Sequence, residues 1–271
     1  MSAAFRLPLQ VFYEREGRHP AQRFLVQPSA GGQVQTLTWA DVGHQARCAA
    51  HWLRARELPQ GSHIALISKN CAHWIIADLA IWMAGHVSVP LYPNLTADSV
   101  AQVLQHSEAA LAFIGKLDDT VNLQSGVPPG LPLIALPLAP SMHAHQWTEL
   151  INTTSPLKTC PEPAGESIST IIYTSGTTGT PKGVVHSFNS MAWGVSCATR
   201  RFPMDINDRY ISYLPLAHVA ERMLIEQASL RYGGRIFFAE SLDTFAADLQ
   251  RARPTVFFSV PRLWVKFQQG V

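Results

Sequence analysis

The stretch IALISKNCAHWIIADLAIWMAGHVSVPL, residues 64–91, decides the fold class. It begins with Ile64–Ile67, a short apolar run that is typical of a buried strand. An alanine-rich helix is expected to follow, capped by Asn70 and ending near Met83. A second apolar run, Val87–Leu91, predicts another buried strand. A strand, a helix and a second strand in this order indicate the crossover unit of a parallel sheet.

Strands and helices alternate in the same way along most of the chain. Thr38 is expected to cap a helix, with Asp41 completing a capping box. The remaining strands are expected at residues 111–114, 167–173, 210–214, 235–238 and 255–259, and the remaining helices at 96–106, 187–200, 218–231, 243–251 and from 262 onward. These repeated units predict an α/β fold with mostly parallel sheets that helices cover on both faces.

Two irregular segments interrupt the alternation. Asp118–Pro140 is rich in proline and predicts a surface excursion that contains a strand at Leu133–Leu136. Thr153–Glu166 is polar and predicts a linker. We therefore expect a first α/β subdomain over residues 1–160 and a second over residues 161–271.

The composition is that of a folded enzyme. The chain has 271 residues, of which 47% are hydrophobic and 15% charged, and its net charge is +2. It has no basic stripe, so nucleic acid is not expected as a partner. Its four cysteines lack zinc or redox spacing, which indicates reduced thiols and a cytoplasmic location. The histidines also lack ligand spacing, so no metal site built by the protein is expected.

The most apolar stretch of the chain does not predict a membrane span. Trp74–Pro90 is interrupted by Asp78 and His86, and it is shorter than the roughly 20 residues that a span needs. Any membrane contact is therefore expected to be peripheral, at the inner face of the membrane.

A glycine-rich segment in the second half of the chain carries the chemistry. Tyr173–Val184 reads YTSGTTGTPKGV. Its glycines let backbone N–H groups approach a phosphate chain, its hydroxyl groups add donors, and Lys182 supplies a cation. A strand is expected before the segment and a helix after it, and both positions favour a bound anion. We interpret the segment as a phosphate loop.

Two better-known nucleotide motifs do not fit this loop. The P-loop has the pattern G-x-x-x-x-G-K-[ST], in which lysine directly follows the second glycine and Ser or Thr follows the lysine. Here two residues separate Gly179 from Lys182, and Gly183 follows the lysine. The dinucleotide pattern G-x-G-x-x-G is absent as well, so the loop belongs to a different class.

The segment Tyr173–Val184 closely resembles the signature loop of the adenylate-forming superfamily, which includes acyl-CoA synthetases, luciferases and peptide-synthetase adenylation domains. The segment YLPLAHVAER, residues 213–222, resembles the matching block of the long-chain fatty acid–CoA ligases. PLYPNLTA at 90–97 and SVPRLW at 259–264 are similar to two further blocks of that branch. The resemblance covers about residues 38–271.

This resemblance implies a two-step reaction. ATP and a fatty acid give an acyl-adenylate and pyrophosphate, and the thiol of coenzyme A then displaces AMP. It implies catalytic roles for Lys182 and His218, with Mg²⁺ beside the phosphates and no metal ligand assigned to the protein. The residues that it implies for nucleotide binding are Thr174, Ser175, Gly176, Thr177, Thr178, Gly179 and Lys182.

Several residues near these motifs have two interpretations. His218 either lies beside the acyl-adenylate or is a buried histidine bonded to the backbone. Glu221 and Arg222 either form a salt bridge or help to shape the site. Three apolar side chains at helical spacing are expected to pack in the core, with an acyl tunnel as the alternative: Phe188, Met191 and Trp193.

The later motifs of the superfamily do not occur in this sequence. We therefore expect an incomplete N-terminal domain that is inactive by itself, with exposed edges at which an oligomer is possible. Within the superfamily, the alternative is a ligase for an aryl, short-chain or amino acid. Outside it, the alternatives are a phosphotransferase and a non-catalytic nucleotide-binding module.

Overall fold

A computed structural model of the chain describes residues 5–175 and 181–269. The strands are β1 (Arg23–Ser29), β2 (Gln33–Thr38), β3 (His63–Ile67), β4 (Val87–Leu91), β5 (Leu111–Ile114), β6 (Leu133–Ala135), β7 (His145–Gln146), β8 (Ile168–Ser175), β9 (Pro181–Ser187), β10 (Arg209–Ser212) and β11 (Arg235–Phe238). The helices are α1 (Pro8–Arg18), α2 (Trp39–Arg54), α3 (Ala72–Ala84), α4 (Ala97–His106), α5 (Val121–Gly126), α6 (Trp147–Thr153), α7 (Phe188–Thr199), α8 (Val219–Glu221), α9 (Ala228–Tyr232), α10 (Phe245–Ala252) and α11 (Pro261–Gln269). A π-helical segment, Arg222–Gln227, joins α8 to α9.

These strands form two sheets. A seven-stranded sheet has the order β7-β6-β5-β3-β4-β8-β9, and a four-stranded sheet has the order β10-β11-β1-β2. Neighbouring strands run parallel except in the pairs β8–β9 and β1–β2. The predicted α/β fold with mostly parallel sheets is confirmed. The subdomain boundary near residue 160 stays a prediction, and the four-stranded sheet takes two strands from each side of it.

The segment at residues 64–91 forms the expected crossover unit. Strand β3 pairs in parallel with β4, and α3 between them is buried at every position from Ala72 to Met83. A helix that is apolar all round is stable only inside a core, and here the largest apolar cluster contains α3 together with residues of both sheets. The expected cap is wrong, because Cys71 occupies the capping position without a side-chain hydrogen bond. Asn70 instead bonds to the opposite sheet, as described below.

The capping box at the start of α2 is confirmed. The Thr38 hydroxyl accepts a hydrogen bond from the Asp41 amide at 3.1 Å, and the Thr38 amide donates to the Asp41 carboxylate at 2.8 Å.

Within the described residues, no helix has both the length and the apolar character needed to cross a membrane. The apolar stretch that starts at Trp74 is divided between α3 and β4.

The structure departs from the expected order of elements in three places. The proline-rich excursion contains a short helix, α5, as well as the predicted strand β6. The strand expected at 255–259 is reduced to one bridge between Val256 and Tyr210. Pro181–Ser187, where no strand was expected, forms β9 and pairs with β8, and the helix expected at 187–200 follows as α7 at Phe188–Thr199.

Candidate active site

The phosphate loop connects the two strands of a β-hairpin. Antiparallel pairing of β8 with β9 places Thr174 opposite Lys182, and both residues are exposed. Directly opposed residues of an antiparallel pair project from the same face, so the hydroxyl and the ammonium group share one surface. Ser175 ends β8 opposite Pro181. The predicted binding residues Gly176, Thr177, Thr178 and Gly179 lie outside the described residues, as does Thr180.

The helix after the loop does not contribute its N-terminus to the phosphates. Strand β9 has seven residues and separates the loop from α7. An extended strand rises about 3.3 Å per residue, so the start of α7 lies about 23 Å from the loop along the strand. This part of the prediction is wrong, because a hairpin takes the place of the expected strand-to-helix turn.

Gly183 makes room for an aromatic ring across the hairpin. It lies opposite Tyr173, and a Cβ atom added to it would lie 2.8 Å from Ile171 Cγ2 and 3.2 Å from Tyr173 Cζ. The Tyr173 hydroxyl is hydrogen-bonded to His106 Nδ1 of α4 at 2.7 Å. The glycine therefore permits the packing that holds the hairpin against α4.

We expect Gly183→Ala to lower the free energy of unfolding by about 1–3 kcal/mol, because the added methyl group overpacks this contact. Urea unfolding measures the change. The matched control is Gly17→Ala in α1, where an added Cβ meets nothing within 4 Å. This control is expected to be neutral or slightly stabilising. Equal stability of both variants would contradict the packing role of Gly183.

His218 is exposed and caps the short helix α8. Its Nδ1 atom accepts a hydrogen bond from the Ala220 amide at 3.1 Å. Since Nδ1 is the acceptor, the neutral ring carries its proton on Nε2. The alternative of a buried histidine is wrong, although the expected bond to the backbone is present. The ring is held in one orientation with its Nε2–H available as a donor on the protein surface.

Two buried residues, Asn70 after β3 and Glu221 of α8, which we call the Asn70–Glu221 clasp, fix the turn before His218. The Asn70 amide group donates to the Leu214 carbonyl at 2.6 Å and accepts from the Leu216 amide at 2.9 Å. Glu221 accepts from the Tyr213 amide at 3.0 Å. Both also bond to the Ser212 hydroxyl, at 2.8 Å and 2.9 Å respectively. The clasp therefore ties the end of β3 to the segment that carries His218.

Burial raises the pKa of Glu221 from 4.5 to about 8, although its hydrogen bonds from Ser212 and Tyr213 oppose that rise. Between pH 4.5 and pH 8 the folded protein therefore keeps the proton on Glu221, whereas the unfolded chain has released it. Stability contributed by this group is complete below pH 4.5 and is lost as the pH rises through 8.

We expect Glu221→Gln to flatten the fall in unfolding free energy between pH 5 and pH 8. An amide keeps the acceptor oxygen but does not ionise, so this part of the pH dependence disappears. Urea unfolding at several pH values gives the two slopes. Glu149→Gln, at an exposed position of α6, is the control and should keep the slope of the parent. Parallel slopes for parent and Glu221→Gln would contradict the assignment.

Glu221 and Arg222 do not form a salt bridge with each other. Arg222 is fully buried and forms ion pairs with Asp78 of α3 and with Glu226, the latter at 3.2 Å. It also donates to the Thr170 hydroxyl of β8 at 2.6 Å. The expectation of a Glu221–Arg222 pair is wrong because the two side chains point into separate networks. The cluster of Asp78, Arg222 and Glu226 was missed, and its only sequence signal was a charge within an apolar helix.

A cleft of about 370 Å³ lies between the two sheets at the carboxyl ends of their strands. Open α/β sheets bind ligands at such edges. Its lining residues are Lys69, Asn70, Pro93, Asn94, Lys116, Asp118, Ser212, Tyr213, Pro215, Ala239, Glu240, Ser241, Leu242 and Phe245. Burial lowers the pKa of Lys116, whose ammonium group donates to the Glu240 carbonyl. Lys69 forms an ion pair with Asp118.

The apolar residues after the hairpin do not share one environment. Phe188 and Met191 are buried, and the Phe188 ring packs edge-on against Trp82 at 5.6 Å. Trp193 is 57% exposed, so its expected core packing is wrong.

Among residues 5–175 and 181–269, no group of three or more His, Cys, Asp or Glu side chains is placed to hold a metal ion.

Comparison with known proteins gives consistent matches. The model of the AMP-binding enzyme family matches residues 12–270. Long chain acyl-CoA synthetase 6, a peroxisomal protein of Arabidopsis thaliana, is 31% identical over 255 residues, which cover 89% of this chain and 36% of that protein. Long-chain-fatty-acid–CoA ligase ACSBG2 of Xenopus laevis is 28% identical over 267 residues, which cover 88% of this chain and 35% of that protein.

Solved structures share the fold. The inhibitor-bound N-terminal domain of FACL13 from Mycobacterium tuberculosis superposes with a TM-score of 0.84 at 23% identity, covering 98% of this chain and 65% of that one. A benzoate CoA ligase from Burkholderia xenovorans LB400 has a TM-score of 0.81 at 24% identity, covering 96% of this chain and 51% of that one. The chain thus spans 35–36% of the two curated relatives described above.

Proposed function

Because the chain belongs to the AMP-binding enzyme family, we propose that the natural protein containing it activates a long-chain fatty acid as its acyl-adenylate and then as acyl-CoA. The observation that carries this proposal is the hairpin, which sets Thr174 and Lys182 opposite each other at the two ends of the phosphate loop. The names of the curated relatives support the fatty acid as substrate. ATP and coenzyme A are the other proposed substrates.

The proposed chemistry has two steps. A carboxylate oxygen attacks the α-phosphorus of ATP, and the bond to pyrophosphate breaks. The sulfur of coenzyme A then attacks the acyl carbonyl, and AMP leaves. The first step needs the negative charge of the phosphates to be held in place and neutralised.

The residues of the hairpin fit the first step. Lys182 supplies a cation and Thr174 a hydroxyl donor on the same face. We assign Ser175, at the end of β8, and the loop residues Gly176, Thr177, Thr178 and Gly179 to binding of the phosphates. Mg²⁺, when bound with ATP, supplies further positive charge, and we assign it no ligand among the described residues.

His218 is proposed to act beside the acyl group. Its Nδ1 atom is occupied by the Ala220 amide, so the ring presents Nε2–H. A neutral Nε2–H donor orients a carboxylate or phosphate oxygen without adding a full charge. The Asn70–Glu221 clasp supports this role, because it fixes the turn from which His218 projects.

The proposal extends to the organisation and location of the protein. We propose two α/β subdomains, over residues 1–160 and 161–271, and a cytoplasmic protein with peripheral membrane contact at most. One of the similar proteins is named as peroxisomal, which is a different location. Oligomerisation through exposed sheet edges remains part of the proposal.

Turnover of the natural full-length protein tests the proposed function. The substrates are ATP, coenzyme A and a series of saturated fatty acids, with benzoate as an aryl acid. We expect AMP, pyrophosphate and acyl-CoA as products, and the highest kcat/KM with long-chain acids. Release of ADP would contradict the proposal, and a preference for benzoate would change its substrate.

A further inference from the structure

We propose that Arg222 is a positioning residue that holds the phosphate-loop hairpin and the His218 segment in a fixed relation. The inference rests on the proposed function for its kinetic consequence. Arg222 lies four positions after His218 in the sequence and contacts the first strand of the hairpin. It thus joins the two parts of the chain to which chemistry is assigned.

The contact with the hairpin is made where β8 enters the sheet. Arg222 Nη1 donates to the Thr170 hydroxyl at 2.6 Å, and that hydroxyl donates to the Ser88 carbonyl of β4 at 2.8 Å. Ser88 and Thr170 are also the register pair that joins β4 to β8. Arg222 therefore bonds to the residue that sets the position of β8, four residues before Thr174 on the same strand.

The contact with the His218 segment is made through the backbone. The Arg222 amide donates to the His218 carbonyl at 3.2 Å, within the first turn of α8. Arg222 then begins the π-helical segment. Single π-helical turns occur often at functional sites. A shift of the Arg222 backbone would therefore move the residue that presents Nε2–H.

The guanidinium group of Arg222 is held in one orientation. It is fully buried, and it pairs with the carboxyl groups of Asp78 and Glu226. The rings of Trp74 and Trp82 lie 5.2 Å and 5.6 Å from it. A planar guanidinium meets several acceptors at fixed angles, whereas a lysine ammonium is a compact charge on a flexible stem. Lysine at this position would keep a cation but lose the fixed geometry.

The test compares Arg222→Lys with Arg47→Lys in the natural full-length protein. Arg47 also forms a two-bond ion pair, with Glu16 at 2.7 Å and 2.5 Å, and each side chain of that pair is 16% exposed. That pair joins α1 to α2 and is separate from the hairpin. Both variants are measured by urea unfolding, ATP–pyrophosphate exchange, and hydrogen exchange of the β8 and β9 amides.

We expect both variants to lose stability, and only Arg222→Lys to lose kcat/KM for ATP, by about tenfold or more. Faster hydrogen exchange in β8 and β9 is expected for the same variant. Arg47→Lys should stay within about twofold of the parent in both measurements. Kinetics and exchange that are equal in the two variants would overturn the proposal, because Arg222 would then be only a structural ion pair.

The experiment still gives an answer if the parent protein is inactive or if Arg222→Lys does not fold. If the parent protein shows no pyrophosphate exchange, the proposed function fails, and hydrogen exchange alone decides the positioning role. If Arg222→Lys does not fold, Thr170→Val replaces it, since this change removes the hydroxyl that Arg222 contacts and keeps the branched shape. Unchanged protection of β9 and unchanged kcat/KM in Thr170→Val would then overturn the proposal.

Discussion

Replacing Lys182 with alanine is expected to lower the rate of ATP–pyrophosphate exchange by about 100- to 1,000-fold in the natural protein. Loss of one fixed donor to a reacting anion costs this much in other enzymes. Lys182 is exposed and lies opposite Thr174 on the hairpin, so its loss leaves no cavity and breaks no buried contact. The effect should therefore appear in catalysis and not in stability.

Two variants sharpen the Lys182 experiment. Lys182→Arg keeps a cation at this position and should retain more activity than the alanine variant. Lys158→Ala removes an exposed lysine from the segment between α6 and β8 and should leave the rate unchanged. ATP–pyrophosphate exchange measures the adenylation step without coenzyme A. An alanine variant within about tenfold of the parent would contradict a phosphate-holding role for Lys182.

Local sequence patterns predicted most elements of the fold. The crossover at residues 64–91 and the cap at Thr38 depend on residues that are close in sequence, and both were confirmed. β9 was missed because Pro181–Ser187 contains proline and glycine and lacks a clear alternation of apolar and polar residues. It is a strand because β8 pairs with it, and pairing of this kind is not encoded in either segment alone.

In the candidate site as well, residues in local motifs could be predicted, and residues in long-range contacts could not. Lys182 and His218 could be predicted as site residues because they lie in short motifs that resemble those of a known family, and their roles stay predictions. Asn70 was assigned to a helix cap, while in the structure it bonds to Leu216, a residue 146 positions away. Asp78 likewise pairs with Arg222 at a separation of 144 residues. Spacing along a helix or strand carries no information about contacts of this range, so the buried networks could not be predicted.

The largest loss of stability is expected for Arg222→Met. The change leaves the carboxyl groups of Asp78 and Glu226 buried without their cation, and breaking a buried ion pair in this way costs about 3–5 kcal/mol. Burial raises the pKa of both groups, to about 8 for Glu226, and the charge of Arg222 opposes that rise. Without the arginine, both groups must stay protonated in the folded protein.

The cost of Arg222→Met should therefore depend on pH. The folded variant must hold two protons that the unfolded chain releases above about pH 4, so the penalty on folding is small at pH 5 and grows with each pH unit up to pH 8. Urea unfolding at both pH values is expected to give the larger loss at pH 8. The triple change Asp78→Leu, Arg222→Met and Glu226→Leu leaves no unpaired charge, so it should cost less than the single change. If the triple variant were less stable than Arg222→Met at pH 8, this expectation would be wrong. The carboxyl groups of Asp78 and Glu226 would then stabilise the fold even without Arg222.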